Sequence, residues 1–305
     1  MKISSEVAAA KESARPLVAL ESTLISHGLP FPDNVEVAKA AENAVRENGA
    51  TPATMAVIDN VAHAGLEDAE MQRLATADGV IKLSRRNLPA LLAGTGLVGS
   101  GSASNPFGAT TVSATMILAQ KAGIDVFATG GIGGVHRGGE ASMDVSADLF
   151  ELAHTPVAVV CSGAKVILDL PRTREVLETM GVTVVGYGTD DMPAFWARHS
   201  GLPVDMRADS PEEVAAIIQA RRDLGIGGAV LICNPVAVDL AIEIDVIEGW
   251  IASCIDDAPS GAAATPWILA EIARRSGGRS LAANKRLIID NAGLAGRIAA
   301  ALQDA

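Results

Sequence analysis

A chain of 305 residues, 49% hydrophobic and only 3% aromatic, must pack its core from Ala, Val, Leu and Ile, a composition typical of α/β enzymes. Its formal charge of −12 argues against a nucleic-acid polymer as partner, because phosphate backbones demand clustered cations, although local basic groups can still hold one small phosphate. The 3 cysteines, Cys161, Cys233 and Cys254, are odd in number and lack metal-ligand spacing, so reduced thiols in a cytoplasmic protein are expected.

Residues 1–15 read as a loose arm or a short helix, polar and charged without the apolar centre of a signal peptide. Pro16-Leu-Val-Ala-Leu-Glu21 reads as a first buried strand ending in a carboxylate. Residues 34–48 place Val35, Ala38, Ala41 and Val45 at helical spacing and stop at Gly49, a common C-terminal cap. Strands are expected at 54–59 and 80–83. A glycine- and serine-rich loop covers 93–107. Within it, Gly94-x-Gly96-x-x-Gly99 spells a dinucleotide signature but lacks the strand before and the helix after that would give it meaning. A helix is expected at 111–122, capped by Gly123. A strand at 125–128 then runs into Thr129-Gly-Gly-Ile-Gly-Gly-Val-His136-Arg137. Beyond it come helix 146–154, strand 157–161, helix 173–180, strand 182–187, helix 211–222, strand 228–233 and helix 266–275. Such alternation predicts a largely parallel sheet covered on both faces, in one domain over 1–305. The longest apolar run, 224–238, is interrupted by glycines, Asn234 and Pro235 and is too short to span a bilayer.

Lys165 carries the chemistry most directly. It follows the apolar run Val157-Ala-Val-Val-Cys-Ser-Gly-Ala, which places it at the carboxyl end of a sheet, where ligands of α/β folds collect. A lysine can lose its proton in dry surroundings and attack a carbonyl or a sugar C1′ to form an imine; an arginine cannot. The plainer alternative is a surface lysine in the first turn of a helix. Glu21 ends the first strand and suits a general acid/base, or else a turn carboxylate. Asp144 and Asp148 bracket Ser146; one carboxylate with waters suits a hydrated hard cation, whereas Asp144 or Ser146 could simply cap the helix that follows. Lys82, before Ser84-Arg85-Arg86, reads as a phosphate ligand or as part of a basic surface turn. His136 closes the glycine run and could be purely structural. The Asn284 amide can both donate and accept, or cap a helix or turn.

Together, several stretches resemble the pseudouridine-5′-phosphate glycosidase, or indigoidine synthase A-like, family. They are Leu20-Glu21-Ser-Thr-Leu-Ile-Ser-His27-Gly, Pro52-Ala-Thr-Met-Ala-Val-Ile-Asp59, Lys82-Leu-Ser-Arg-Arg86, Gly108-Ala-Thr-Thr-Val112 and Phe127-Ala-Thr129-Gly-Gly-Ile-Gly-Gly-Val-His136-Arg137-Gly138. Asp144-Val-Ser-Ala-Asp148-Leu, Cys161-Ser-Gly-Ala-Lys165, Asn234-Pro235, Thr265-Pro266 and Ser280-Leu-x-x-Asn284 continue the family's order. The resemblance implies reversible cleavage of the C–C glycosidic bond of pseudouridine 5′-phosphate to uracil and ribose 5-phosphate. It also implies a homotrimer of three-layer α/β/α subunits with a mixed sheet, and a divalent metal, usually Mn2+.

Residue by residue, the resemblance makes Lys165 the nucleophile, Glu21 the general acid/base and Asp144 the metal ligand. Lys82, Val112, Thr129, His136, Ser146, Ala147, Asp148 and Asn284 become substrate-binding positions. Two segments depart from the family pattern: 93–107 is longer and richer in glycine and serine, and Gly261-Ala-Ala-Ala264 lacks the usual charged residues. The rival reading is a ribokinase-like phosphotransferase, for which no Walker-type Gly-Lys-Ser/Thr is present.

Overall fold

The computed structural model of the chain describes residues 1–95, 106–258 and 264–304. In chain order the elements are β1 (Lys2–Ile3), α1 (Ser5–Glu12), β2 (Leu17–Leu20), α2 (Asp33–Glu47), β3 (Thr51–Ile58), β4 (Val61–Ala64), α3 (Asp68–Thr76), β5 (Ile81–Leu83) and α4 (Leu88–Leu92). Next come β6 (Gly108–Thr110), α5 (Val112–Ala122), β7 (Val126–Ala128), α6 (Gly139–Ser142), α7 (Ala147–His154), β8 (Ala158–Cys161), α8 (Leu170–Thr179) and β9 (Thr183–Tyr187). The last are β10 (Met206–Ala208), α9 (Pro211–Asp223), β11 (Val230–Cys233), α10 (Ile244–Ala252), α11 (Ala264–Arg275) and α12 (Arg279–Gln303).

The strands form one sheet in the order β1-β4-β3-β2-β7-β8-β11-β9-β10, with β6 beside β3 and β5 beside β6. Among the described strands, antiparallel pairing occurs only where β3 meets β4 and β6. The sheet is therefore mixed and mostly parallel, as expected. Its central strands alternate strictly. Val18, Leu20, Val126, Ala128, Ala158, Val160, Val230 and Ile232 share one core with Val45, Ile218, Ala295 and Ile298 of α2, α9 and α12. Ala19, Phe127, Val159, Cys161, Leu231 and Cys233 enter the other core, with Val7, Met116, Leu149 and Leu177 of α1, α5, α7 and α8. A strand whose neighbours turn to opposite faces supplies both cores at once, which is why these short runs read as continuously apolar.

Local signals set many boundaries. Gly123 closes α5 with φ 69°, Ser210 caps α9 by accepting from Glu213 N, and Glu67 and Glu70 form a capping box at α3. Residues 1–15 hold the short helix: β1 pairs with β4, and Val7 and Ala10 are fully buried. The strand expected at 54–59 is β3, which starts at Thr51 and stops at Ile58, where Asp59 (φ 53°) and Asn60 (φ 61°) turn it back into β4. Two left-handed residues in a two-residue loop suit the twist of an antiparallel pair, and Asp and Asn tolerate that conformation best. No described helix is long and apolar enough to cross a membrane.

Candidate active site

The carboxyl ends of β2, β7 and β8, adjacent and parallel, open into a cavity of about 520 Å3. Each strand hands over a polar residue as it ends: Glu21 after β2, Thr129 after β7, and Ser162-Gly-Ala-Lys165 after β8. All eleven residues singled out in the sequence line this one cavity: Glu21, Lys82, Val112, Thr129, His136, Asp144, Ser146, Ala147, Asp148, Lys165 and Asn284.

Glu21 is held from two sides. Thr129 Oγ1 donates to its Oε1 and Thr23 Oγ1 to its Oε2. The next residue, Ser22, is fully buried and accepts from Thr110 N at 2.9 Å, tying the end of β2 to β6. A π-helical turn, Leu24–Gly28, follows at once and brings His27 to the cavity wall. Single π-turns often mark sites where side chains are re-aimed. Burial pushes the His27 imidazole below its ordinary range, and the Lys82 charge adds to this, partly offset by a hydrogen bond involving the Val80 backbone.

Lys165 sits in the loop between β8 and α8, not in a helix. Its own N donates to Ile132 O at 3.1 Å, and Leu168 N closes a turn onto its carbonyl at 3.0 Å. Gly163 makes the path possible. It has φ +82°, and a Cβ there would run into the Pro193 carbonyl. Four lysines are tied to acceptors: Lys2 to Glu70, Lys11 to Ala122 O, Lys39 to Asp68 and Lys285 to Asp33. Lys82 and Lys165, the two in the cavity, have no hydrogen-bond or ion-pair partner among the described residues. Burial pushes the Lys82 ammonium down from its usual range, and Lys165 pushes it further, while Glu21 and Asp148 partly compensate.

Asp148 is committed to the scaffold. It is buried, with Oδ1 accepting from Ser113 N at 3.0 Å and Oδ2 from Gly133 N at 2.9 Å. It thereby pins the first turn of α5 and the glycine run to α7. A Cβ on Gly133 would overlap Ser146 and Asp148, so close approach is what this glycine provides. Ser146 does cap α7, accepting from Asp148 N at 3.2 Å, and the same helix start faces the cavity with the first-turn amides that attract anions. Val112 is buried and opens α5 at the cavity wall. Asn284 is half-buried with no partner for its amide among the described residues.

Among the described residues no three acidic, histidine or cysteine groups cluster closely enough to cage a metal. Asp144 lies at the rim, its carboxylate 46% exposed and 4.0 Å from His136 Nδ1. Asp148 is engaged by amides and Glu21 by hydroxyls, which leaves Asp144 as the cavity carboxylate without such bonds among the described residues. One such carboxylate could hold only a hard cation that keeps most of its water.

The sequence gives no functional reading of Asn291. It is fully buried on α12, two turns after Asn284. Its Nδ2 donates to Thr129 O at 2.9 Å and to Ser162 Oγ at 3.1 Å, and its Oδ1 accepts from Asn234 Nδ2 at 2.9 Å. One amide thus keys the helix carrying Asn284 to the ends of β7, β8 and β11. An asparagine on a mostly apolar helical stripe, alongside Ala283, Leu287, Leu294 and Ile298, is the available signal. The fingerprint 94–99 lies largely outside the described residues, as do most of the departing segments 93–107 and 261–264.

Comparison with known proteins follows the same outline. The profile of the family described as "Indigoidine synthase A like protein" matches residues 6–301. A protein of Solibacter usitatus named pseudouridine-5′-phosphate glycosidase is 50% identical, covering 99% of both chains. One of the same name from Methylobacterium nodulans is 51% identical over 98% of this chain and 87% of its own. The crystal structure of the prealnumycin C-glycosynthase AlnA in complex with ribulose 5-phosphate superposes with a TM-score of 0.88 at 38% identity, covering 99% of this chain and 97% of that one. An indigoidine synthase A-like protein from Thermotoga maritima also gives a TM-score of 0.88, at 33% identity, over 99% of this chain and 96% of its own.

Proposed function

We propose, on the premise that the chain belongs to the indigoidine synthase A-like family, that it reversibly cleaves pseudouridine 5′-phosphate to uracil and ribose 5-phosphate. The observation that carries this reading is the pairing, in one cavity, of two amines without a partner among the described residues with a carboxylate held by two hydroxyls. Five groups able to carry positive charge, His27, Lys82, Arg86, His136 and Lys165, line a cavity whose acids are Glu21, Asp144 and Asp148. In a chain of net charge −12 such an excess favours an anionic ligand. Full-length relatives bearing the glycosidase name support the choice of substrate.

The reaction must expel carbon, a poor leaving group until it is protonated. In this reading Lys165 nitrogen bonds to C1′ as the ring oxygen leaves and takes a proton from Glu21. Glu21, now a carboxylate, takes a proton back from the Lys165 nitrogen and delivers it to the departing uracil carbon as the C1′–C bond breaks, leaving a protonated imine on Lys165. Water hydrolyses the imine to free ribose 5-phosphate and the amine. Lys82, His136, Thr129, the main chain of Val112 and the α7 start (Ser146, Ala147) hold the sugar phosphate, with Asp148 fixing the loops that present them. Asn284 meets the uracil imide edge.

Asp144 would hold a divalent cation, Mn2+ by the family's habit, which when bound would neutralise phosphate charge. Assembly as a homotrimer belongs to the same reading. Met143 (80% exposed), Val145 and Phe150 stand on the surface, Val145 also on the cavity wall, as apolar residues that a second copy would cover. The 3 buried free thiols fit a reducing, cytoplasmic setting. The test is to mix the protein with uracil, ribose 5-phosphate and Mn2+, with and without chelator, and resolve the products by chromatography. Pseudouridine 5′-phosphate is expected; its absence at all cation concentrations refutes the reading.

A further inference from the structure

We infer that Arg86 is a second phosphate-recognising residue of this cavity, sharing the anion with Lys82 and setting the preference for phosphorylated over unphosphorylated pentose. The inference rests on the sugar-phosphate reading above and adds a specificity residue to it. Lys82 lies in β5, and a braced turn follows. Ser84 N donates to Asn87 Oδ1 at 2.7 Å, Leu88 N to Ser84 O at 3.1 Å, Asn87 Nδ2 to Lys82 O at 3.2 Å, and Arg85 N to Ser113 Oγ at 3.4 Å. The backbone is therefore anchored both to the strand that carries Lys82 and to the start of α5.

The two arginines of this turn differ. Arg85 is engaged: its Nη1 lies 2.8 Å from Glu151 Oε2, its guanidinium stands 4.9 Å over the Phe150 ring, and it takes no part in the cavity wall. Arg86 lines the cavity, is exposed, and has no ion pair, hydrogen bond or ring contact among the described residues. Arg279 is the other described arginine without a partner. Arg15, Arg46, Arg73, Arg137, Arg172, Arg174, Arg198, Arg207, Arg221, Arg222, Arg274, Arg275, Arg286 and Arg297 all have one. A free guanidinium on a fixed turn is a ready fork for two oxygens of a phosphate monoester.

Lys82 also needs the help. Burial and Lys165 both disfavour its charged form, whereas a guanidinium stays charged at every working pH. An anchor shared between a tunable amine and a permanent cation holds the dianion even where the amine is partly neutral.

The experiment compares wild type, Arg86→Gln and Arg86→Lys by steady-state kinetics on pseudouridine 5′-phosphate and on unphosphorylated pseudouridine, and by calorimetric titration with ribose 5-phosphate and with inorganic phosphate. Loss of charge-assisted hydrogen bonds predicts that R86Q raises KM for the phosphorylated substrate and Kd for both phosphates by about 10- to 100-fold. R86K is expected to recover part of that loss, and any loss of kcat/KM on pseudouridine should be at least about tenfold smaller than on the phosphorylated substrate. An R86Q variant that binds both phosphates as wild type does overturns the inference, as does an equal loss on both substrates. If wild type binds ribose 5-phosphate through Arg86 but turns over no pseudouridine 5′-phosphate, the reaction assignment fails and the anion site stands.

Discussion

Replacing Asn291 with alanine removes an amide that serves three polar groups at once. Two of them, the Thr129 carbonyl and the Ser162 hydroxyl, lie in residues that are 3% and 0% exposed and have no other partner in the network described. Each buried group left unsatisfied costs about 1–3 kcal/mol, so the pair sums to roughly 2–6 kcal/mol, with a central value near 4. The third, Asn234 Nδ2, belongs to a half-buried residue and can turn to water, adding little. Against a typical stability of about 5–15 kcal/mol this is a large share. Urea unfolding at fixed protein concentration, followed through the buried Trp196, should show the midpoint falling with an unchanged slope. Activity should fall beyond the folding loss, because Thr129 both accepts from Asn291 and holds Glu21. A variant within about 1 kcal/mol of wild type, below the cost of two orphaned groups, would refute the claim that this amide keys α12 to the sheet.

Three further outcomes are expected. Lys82 must be charged to hold phosphate, and its folded-state ammonium is pushed below the ordinary lysine range. Phosphate affinity should therefore fall as pH rises through that lowered value, before a free lysine would titrate, and binding should take up protons; calorimetry in buffers of different ionisation enthalpy checks this. The stability sign runs the other way. The unfolded chain binds this proton more tightly, so the Lys82 contribution to stability rises with pH between the lowered value and the unfolded one. Gly133→Ala should destabilise by about 1–3 kcal/mol through overlap with Ser146 and Asp148 and should weaken phosphate binding, measured by thermal unfolding and titration. Glu21→Gln should lower kcat by about 10^2- to 10^4-fold while ribose 5-phosphate still binds; a kcat within tenfold of wild type removes Glu21 from proton transfer.

Much of the site was legible because its residues sit where short apolar runs stop. Glu21, Thr129 and Lys165 each follow a strand whose end the sequence marks with a polar or glycine residue, and chain order brought three such ends together. The β3–β4 hairpin was harder, since its turn is Asp59-Asn60 rather than a glycine-bearing pair. β6 and β10 span 3 residues each and were missed for want of periodicity. Asn291 was hidden for a different reason. Its value lies in three partners remote in sequence, the nearest being Asn234 at a separation of 57, and no local pattern encodes those. Asp148 lines the cavity where a ligand position was expected, and its carboxylate also accepts from main-chain amides of two other segments, which no local pattern encodes.

Two amines share the cavity, and the mechanism needs one of them to bond with the sugar. Borohydride added during turnover, followed by proteolysis and mass spectrometry, tests this most directly. The account predicts a reduced pentose-phosphate adduct on Lys165 and loss of that adduct in Lys165→Ala. Label on Lys82 instead, or rapid turnover with no label on either lysine, contradicts it.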